Sequence, residues 1–309
     1  MLKIKDLSKK SGGKTIVDNL NIYLPQPSIW AIVGKSDYAK TSVARMIAGI
    51  MKPDSGAVFW NDTPLNADDC RVGYLPKICG LYEKIDILTQ LKFFAELKGL
   101  PKGKIAERLR FLAEETKITD IIFPENGSSK GGVNRTPFFE ELENDEKFRI
   151  MLAVAMLDDP DLIILDEPTE TLTEKGKLFL KKFLKKQKQF GKYIVFTTAD
   201  PDFADSLCTD ITVVRKSKTV LSGNLEDIKK SAQKIHLTIE TDGDISKIAE
   251  DFSPEQINIE ENKAELILGN ENEAENLLVK IIAAGIIVRR YEVTDLSLRK
   301  IIKIRCGDL

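Results

Sequence analysis

The chain has 309 residues, 42% hydrophobic and 30% charged, an ordinary globular composition with room for one large domain and a small one. Its formal net charge of −2, with no basic run standing out as a polyanion footprint, argues against a nucleic-acid partner. Cys70, Cys79, Cys208 and Cys306 are widely spaced with no C-x-x-C pair, so neither a zinc site nor a disulfide framework is expected.

The opening residues, MLKIKDLSKK, lack the apolar core of a signal peptide, and no run approaches the roughly 18 to 20 apolar residues that cross a bilayer. The chain reads as cytosolic, and a role at a membrane would need a partner. In chain order the first elements are two short strand-like runs, MLKIKDL and NIYL. PSIWAIVGK follows as an apolar run that stops at Gly34, and TSVARMIAGIM has helical spacing. From about residue 87 to 157 the text is mainly helical: LTQLKFFAELKGL and KIAERLRFLAEET repeat apolar residues at i, i+3, i+4, with Pro101 and Gly103 separating them. Residues 126–137, NGSSKGGVNRTP, form a polar, glycine-rich loop. Strand signals return in LIILDEP, KYIVFTT and DITVVRK, each beside helix-like text, which predicts a largely parallel sheet with helical cover. Around residues 229–234 the text turns polar and breaks. Beyond it KIHLTIE, AELILG and IIVRRYEV read as strands, and DISKIAEDF, EAENLLVKIIAAG and LSLRKIIKI as helices. The expected division is residues 1–230, with a helical subdomain over about 85–157, and a small α+β domain over 231–309.

Two motifs carry chemistry. Residues 34–42, GKSDYAKTS, depart from the phosphate-cradling pattern G-x-x-x-x-G-K-[ST] by Ala39 in place of glycine, while Lys40 and Thr41 stand where the pattern needs them. The strand–loop–helix setting gives that match its meaning. Lys40 offers a point charge to phosphates and Thr41 a hydroxyl to Mg²⁺. In LIILDEPTE, residues 162–170, four apolar residues place a buried strand, and Asp166 and Glu167 emerge at its carboxyl end, where ligands of open α/β sheets gather. There Asp166 would hold Mg²⁺ through water and Glu167 would polarise an attacking water. The plain alternative is an acidic turn that ends a strand and is stiffened by Pro168. The upstream Lys-Thr loop favours the chemical role.

In this order the segments resemble the ATP-binding cassette family, the nucleotide-binding subunits of ABC transporters, over nearly the whole chain. Residues 34–41 fall at the Walker A position and MKPDSGAVFWND at the hairpin after it. VGYLPKICGLYEKI falls at the Q-loop, DDPDLIILDEPT at Walker B, and TTADPDFADSLCTDITVVRKSKTVLSG at the switch region and final strands. RRYEVTDLSLRKI is similar to the C-terminal extension of the drug and peptide exporter branch. The resemblance implies an α/β, RecA-like P-loop NTPase core with a helical subdomain, plus the small C-terminal α+β domain. It implies ATP and Mg²⁺ as cofactors. Nucleotide contacts would come from Gly34, Ser36, Ala39, Lys40, Thr41, Ser42 and Lys77, metal contacts from Thr41 and Asp166, with Glu167 at the catalytic position. A separate transmembrane permease, a homodimer or a heterodimer with another ABC subunit, and a place at the inner face of the cell membrane are also implied.

The chain departs from the family at several positions. The Q-loop glutamine is Lys77, LSGGQ aligns with LENDE (residues 142–146), and PTSGLD with PTETLT, which puts Thr173 in place of the D-loop aspartate. The switch histidine falls at Ala199, the sole histidine being His236 in the small domain, and the adenine-stacking aromatic falls at Ser11. Glu143, Asp145 and Glu146 occupy the amino end of a helix whose amides would grip the γ-phosphate held by the opposite subunit. Carboxylates there cap the helix and repel a triphosphate. Asp37 and Ala39 replace inner glycines of the first loop: alanine tolerates positive φ badly, by about 1 to 2 kcal/mol, and Asp37 brings negative charge toward the phosphates. Lys77 is either a cation offsetting Asp37 or a solvated surface lysine. Losing a positioned proton-transfer group typically costs roughly 10² to 10⁴ in rate. Weak ATP binding with little or no hydrolysis is therefore expected, the alternative being a pseudo-ATPase scaffold or regulatory subunit that does not use nucleotide. For the small domain dimerisation is expected ahead of effector binding, with Glu260, Glu261 and Glu265 on a solvated hairpin.

Overall fold

The chain opens as a hairpin. β1 (Leu2–Ser11) and β2 (Lys14–Leu24) run further than the two apolar runs mark, because Gly12 and Gly13, at φ 55° and 76°, supply the left-handed turn that joins them. The computed structural model describes residues 1–35, 37–65, 69–78, 80–123, 136–260 and 262–307. Ser36, Cys79, Glu261 and nearly all of the 126–137 loop lie outside them. Two compact units divide between Gly223 and Asn224.

In the larger unit, β3 (Ile29–Val33) leads through Gly34 into α1 (Asp37–Ile47). There follow β4 (Ser55–Trp60), β5 (Thr63–Pro64), β6 (Val72–Leu75), α2 (Ile87–Leu97), α3 (Lys102–Thr116) and α4 (Thr119–Ile122). A 3-10 turn, Phe139–Glu141, precedes α5 (Asn144–Ala155), β7 (Leu162–Leu165), α6 (Glu174–Gln189), β8 (Tyr193–Thr198), α7 (Pro201–Asp205), β9 (Asp210–Arg215) and β10 (Lys218–Asn224). One ten-stranded sheet results, in the order β5-β4-β1-β2-β10-β9-β3-β8-β7-β6. The expected parallel pairing holds for β9, β3, β8, β7 and β6 and for β2 with β10, whereas β1, β2, β4 and β5 pair antiparallel among themselves, so the sheet is mixed. β3, β7 and β8 are buried at every residue, which is why they read as unbroken apolar runs. Since they run parallel, their carboxyl ends bring Gly34, Asp166 and Ala199 to one edge. Trp30 anchors β3 beneath that edge, wholly buried, its indole N–H donating to Thr212 Oγ1 at 3.1 Å.

The helical segment is fixed by its caps. Asp86 accepts from Thr89 N at 3.0 Å and from Thr136 Oγ1 at 2.9 Å, closing the first turn of α2. Buried Gln90 then ties residues 82–85 to α2: Oε1 accepts from Tyr82 N, and Nε2 donates to the carbonyls of Tyr82 and Ile85, each at 2.8 Å. Pro101 precedes α3, and Gly103 lies inside its first turn and not between the helices. α6 qualifies the judgement that no basic run stands out. Its outer face exposes Lys175, Lys182, Lys185 and Lys186, a local positive field on a chain of net charge −2.

The smaller unit holds α8 (Leu225–Ala232), β11 (Ile235–Thr241), α9 (Ser246–Glu250), β12 (Gln256–Glu260), β13 (Lys263–Leu268), α10 (Glu271–Ala283), β14 (Val288–Asp295) and α11 (Leu298–Cys306). Its antiparallel sheet runs β12-β13-β11-β14. The break expected at 229–234 is instead the end of α8. That helix is capped by Asn224, which accepts from Glu226 N at 3.0 Å, and is held by buried Leu225 and Ile228. Glu260 and Glu265 lie on the β12–β13 hairpin.

His236, on β11, faces Glu265 at 3.5 Å and lies near Lys300 and Lys263. Burial first, and then the Lys300 charge, hold its pKa below the ordinary imidazole value. The folded chain thus binds fewer protons than the unfolded chain as pH falls below about 6.5, so stability must fall as pH drops through that window. Urea denaturation followed at residues 224–309 by hydrogen exchange is expected to show lower stability at about pH 5.5 than at about pH 7.5, with a smaller loss in His236→Gln.

Candidate functional site

Gly34 closes β3 against β9: a Cβ there would lie 2.5 Å from the Val214 carbonyl oxygen, so only glycine fits. From that point α1 carries Lys40 inward until its side chain is fully buried. Lys40 Nζ donates to the Gly34 carbonyl and lies 2.7 Å from Glu167 Oε1, the two side chains being 0% and 6% exposed. Glu167 reaches it because its backbone is left-handed, φ 49°, an uncommon conformation for a non-glycine residue and one that marks functional turns. The carboxyl end of β8 holds both acids in place. Glu167 N donates to Thr197 Oγ1 at 2.8 Å, Thr197 Oγ1 donates to Asp166 Oδ1 at 2.7 Å, and Ala199 N donates to Glu167 Oε2 at 3.2 Å.

Asp166 is 1% exposed, and its Oδ2 has no hydrogen-bond partner among the described residues. Burial first, and then the Asp166 charge, raise the pKa of the Tyr74 phenol. Apart from that neighbouring phenol, nothing donates to Asp166 Oδ2 among the described residues, and a buried carboxylate oxygen so placed suits a hard cation; Asp166 thus fits Mg²⁺, and half-buried Thr41 follows Lys40 on the same helix. A cavity of about 180 Å³ opens beside these groups, lined by Leu75, Lys77, Asn144, Phe148, Asp166 and Glu167.

A helix-borne lysine after β3 that meets Glu167, one of two acids at the carboxyl end of β7, across the parallel strand between them, is the geometry of a phosphate-binding NTPase site. The ABC transporter family model matches residues 17–170, and the C-terminal domain of ATP-binding proteins of the DrrA1-3-like type matches residues 223–301. The chain belongs to the ABC transporter family. It is 29% identical over 308 residues to an uncharacterized ABC transporter ATP-binding protein, YhaQ, of Bacillus subtilis strain 168, covering 99% of each chain. Over 232 residues it is 26% identical to a Nod factor export ATP-binding protein I of Cupriavidus metallidurans, covering 74% of this chain and 72% of the relative. A solved dimeric cassette in a post-hydrolysis state with ADP and Pi has the same RecA-like fold, at TM-score 0.60 and 20% identity, over 73% of this chain and 99% of that one.

The remaining positions of this ABC subunit are placed as follows. Ala39 does not take the left-handed backbone expected of an inner glycine: it is buried inside α1, which begins at Asp37, so its anticipated strain is absent. Ser42 is buried and its hydroxyl donates to the Tyr38 carbonyl at 2.7 Å, along the helix. Ser36 lies outside the described residues. Lys77 pairs with Glu170 at 3.0 Å on the rim of the cavity, so it is a paired cation and not merely a solvated lysine. Ser11 Oγ and Tyr38 OH are 2.8 Å apart, so an aromatic ring, 57% exposed, stands beside the position that lacks one. The sequence signal for it was a tyrosine inside the loop. Glu146 Oε2 accepts from Glu143 N at 2.9 Å, capping α5, but Asp145 turns to α6, where Thr173 donates to it.

Removing one partner of a buried ion pair leaves the other charge without compensation. Lys40→Met is therefore expected to destabilise by about 3 to 5 kcal/mol in urea denaturation, and Lys40→Met with Glu167→Gln to recover most of that loss.

Proposed function

We propose that this chain is the ATP-binding subunit of an exporter, coupled to a separate permease at the inner face of the cell membrane, and that it binds Mg²⁺-ATP weakly and hydrolyses it little. The observation that carries this is the engagement of Glu167. Its carboxylate is bonded to Lys40 on one side and to the Ala199 N–H on the other, so the group that would polarise water is already neutralised by the lysine that would grip phosphate. A triphosphate must displace Glu167 to reach Lys40, and Ala199 supplies no imidazole to take over the proton. Asp166 and Thr41 would hold Mg²⁺, which when bound supplies neutralisation of phosphate charge.

Coupling to a permease is supported by the relative named for Nod factor export and by exposed apolar side chains after β6 and on α2. Ile78, Tyr82 and Phe93 are exposed, with residues 82–85 pinned to α2 by Gln90. Among the described residues no helix is long and apolar enough to cross a membrane, so transport through this subunit needs another chain. Residues 231–309 are assigned to dimerisation, with a second copy or with another ABC subunit. The internally satisfied Lys40–Glu167 pair also favours a second role, a scaffold or regulatory subunit that uses no nucleotide.

ATPase assay of the purified chain is expected to give Mg²⁺-dependent turnover near background, unchanged by Asp166→Asn; robust turnover that Asp166→Asn abolishes would overturn the inactivity. Thermal shift separates the two roles, since a ligand that binds only the folded state raises the midpoint. Millimolar Mg²⁺-ATP is expected to give a small upward shift, and no shift favours the scaffold. Glu167→Gln removes the competitor for Lys40 and is expected to tighten Mg²⁺-ATP binding by roughly 10-fold, the equivalent of about 1.4 kcal/mol.

A further inference from the structure

Two departures from the family, the aspartate at 145 and the threonine at 173, touch each other. Thr173 N donates to Asp145 Oδ1 at 3.0 Å and Thr173 Oγ1 to Asp145 Oδ2 at 2.5 Å. Thr173 is the N-cap of α6, its Oγ1 accepting from Gly176 N at 3.2 Å. Gly176 completes the seat: a Cβ on it would lie 2.5 Å from Asp145 Oδ1. The carboxylate from the first turn of α5 is thus lodged at the amino end of a second helix, where the α6 dipole and the Thr173 donors stabilise it.

Thr173 is also the far end of the acidic turn. Between Glu167 and Thr173 the chain is a run of tight turns, with Glu170 N donating to Glu167 O and Leu172 N to Thr169 O, each at 3.3 Å. These are long bonds, and the segment is held from outside by Lys77 at Glu170 and by Asp145 at Thr173.

We infer that the aspartate at 145 and the threonine at 173 are one compensated exchange, and that Asp145 is a positioning residue which clamps the Glu167–Thr173 segment from α5 of the same chain. In the family pattern aligned above, glycine stands at the α5 position and aspartate at the end of the segment. Here the carboxylate stands on the helix and not on the segment, and it joins the two. Either half of the exchange alone is unfavourable: Asp145 opposite an aspartate brings two carboxylates into contact, and glycine opposite Thr173 leaves the Thr173 N–H without its acceptor. The amino end of α5 then serves its own chain. This rests on the degenerate-cassette reading only for its place in the family pattern.

The test is a set of full-length variants compared by urea denaturation and hydrogen exchange, with no nucleotide present. Asp145→Gly and Thr173→Asp are each expected to lower the midpoint, and the double variant to recover most of the loss, with a coupling of about fivefold or more in the unfolding equilibrium. Gly176→Ala is expected to destabilise the wild-type chain, where the methyl meets Asp145, and to stabilise the Asp145→Gly chain, where alanine simply improves the helix. Additive effects, or an equal effect of Gly176→Ala in both backgrounds, would overturn the exchange. For the positioning role, exchange at the amides of Glu170, Leu172 and Thr173 is expected to rise about tenfold in Asp145→Gly, with the variant still folded, and to stay within about threefold in Asp145→Asn, which keeps an oxygen acceptor. Faster exchange confined to α6 would reduce Asp145 to a helix cap. Because these readouts involve no ATP, vigorous ATPase activity would sink the proposed function and leave this inference intact, and the reverse also holds.

Discussion

Everything at the sheet edge depends on one buried ion pair. Lys40 and Glu167 are far apart in the chain, yet their charged atoms lie 2.7 Å apart with almost no exposure. Two charges withdrawn from water this completely persist only if each compensates the other and the remaining hydrogen-bonding capacity is met. Lys40 meets it with the Gly34 carbonyl, and Glu167 with the Ala199 N–H. The pair therefore fixes three strand ends against one another. β8 lies between β3 and β7, and its terminal residues form the bridge across which helix and acidic turn are joined. Glycine at 34 and the left-handed backbone at 167 follow as steric conditions of the same contact.

The altered motif positions make better sense as satisfied contacts than as losses. Lys77 has Glu170, Asp145 has Thr173, Ser11 has Tyr38, and Ala39 has a helical backbone. In each case a position that the family pattern associates with nucleotide or its partner subunit is engaged within the chain. Polar groups left without partners are costly, and here the fold supplies those partners itself. Asp166 Oδ2 and the Tyr74 hydroxyl are exceptions among the described residues, and the carboxylate oxygen is an atom suited to a metal ion.

How much of this was legible varied with how local the determinant was. LIIL followed by Asp166 and Glu167 announced a buried strand with acids at its end, because a strand buried on both faces needs an unbroken apolar run. The helices α2 and α3 followed from their apolar spacing. The ten-stranded order was not legible, since the hairpin strands alternate polar and apolar residues and their partners are distant in sequence. α8 was missed although Asn224 followed by Glu226 and Asp227 is a capping signal, because the lysines after it mask a short amphipathic face. The family pattern implies a glycine's conformation at 39, but the alanine there lies inside α1, where its helical backbone carries no strain. The partners of Lys77 and Asp145 could not have been read from the sequence, for pairing between segments that meet only in the folded chain leaves no mark on local periodicity.

The fate of the three acids at α5 shows why sign alone is a poor guide. Taken as a charge cluster, Glu143, Asp145 and Glu146 present a barrier to any anion. In the fold they divide. Glu146 turns back on the Glu143 amide, and Asp145 lies on Thr173 at the amino end of α6. Carboxylates near helix amino termini contribute roughly 0.3 to 1 kcal/mol each at exposed sites, so this arrangement stabilises the fold. Whatever anion is to bind at the end of α5 must compete with groups already in place and already compensated. The same logic governs Lys40, whose charge is met by Glu167 before any phosphate arrives. At both ends of the site, then, the charge that would meet an anion is already compensated by a group of the chain itself, Glu167 at Lys40 and Glu146 at the Glu143 amide.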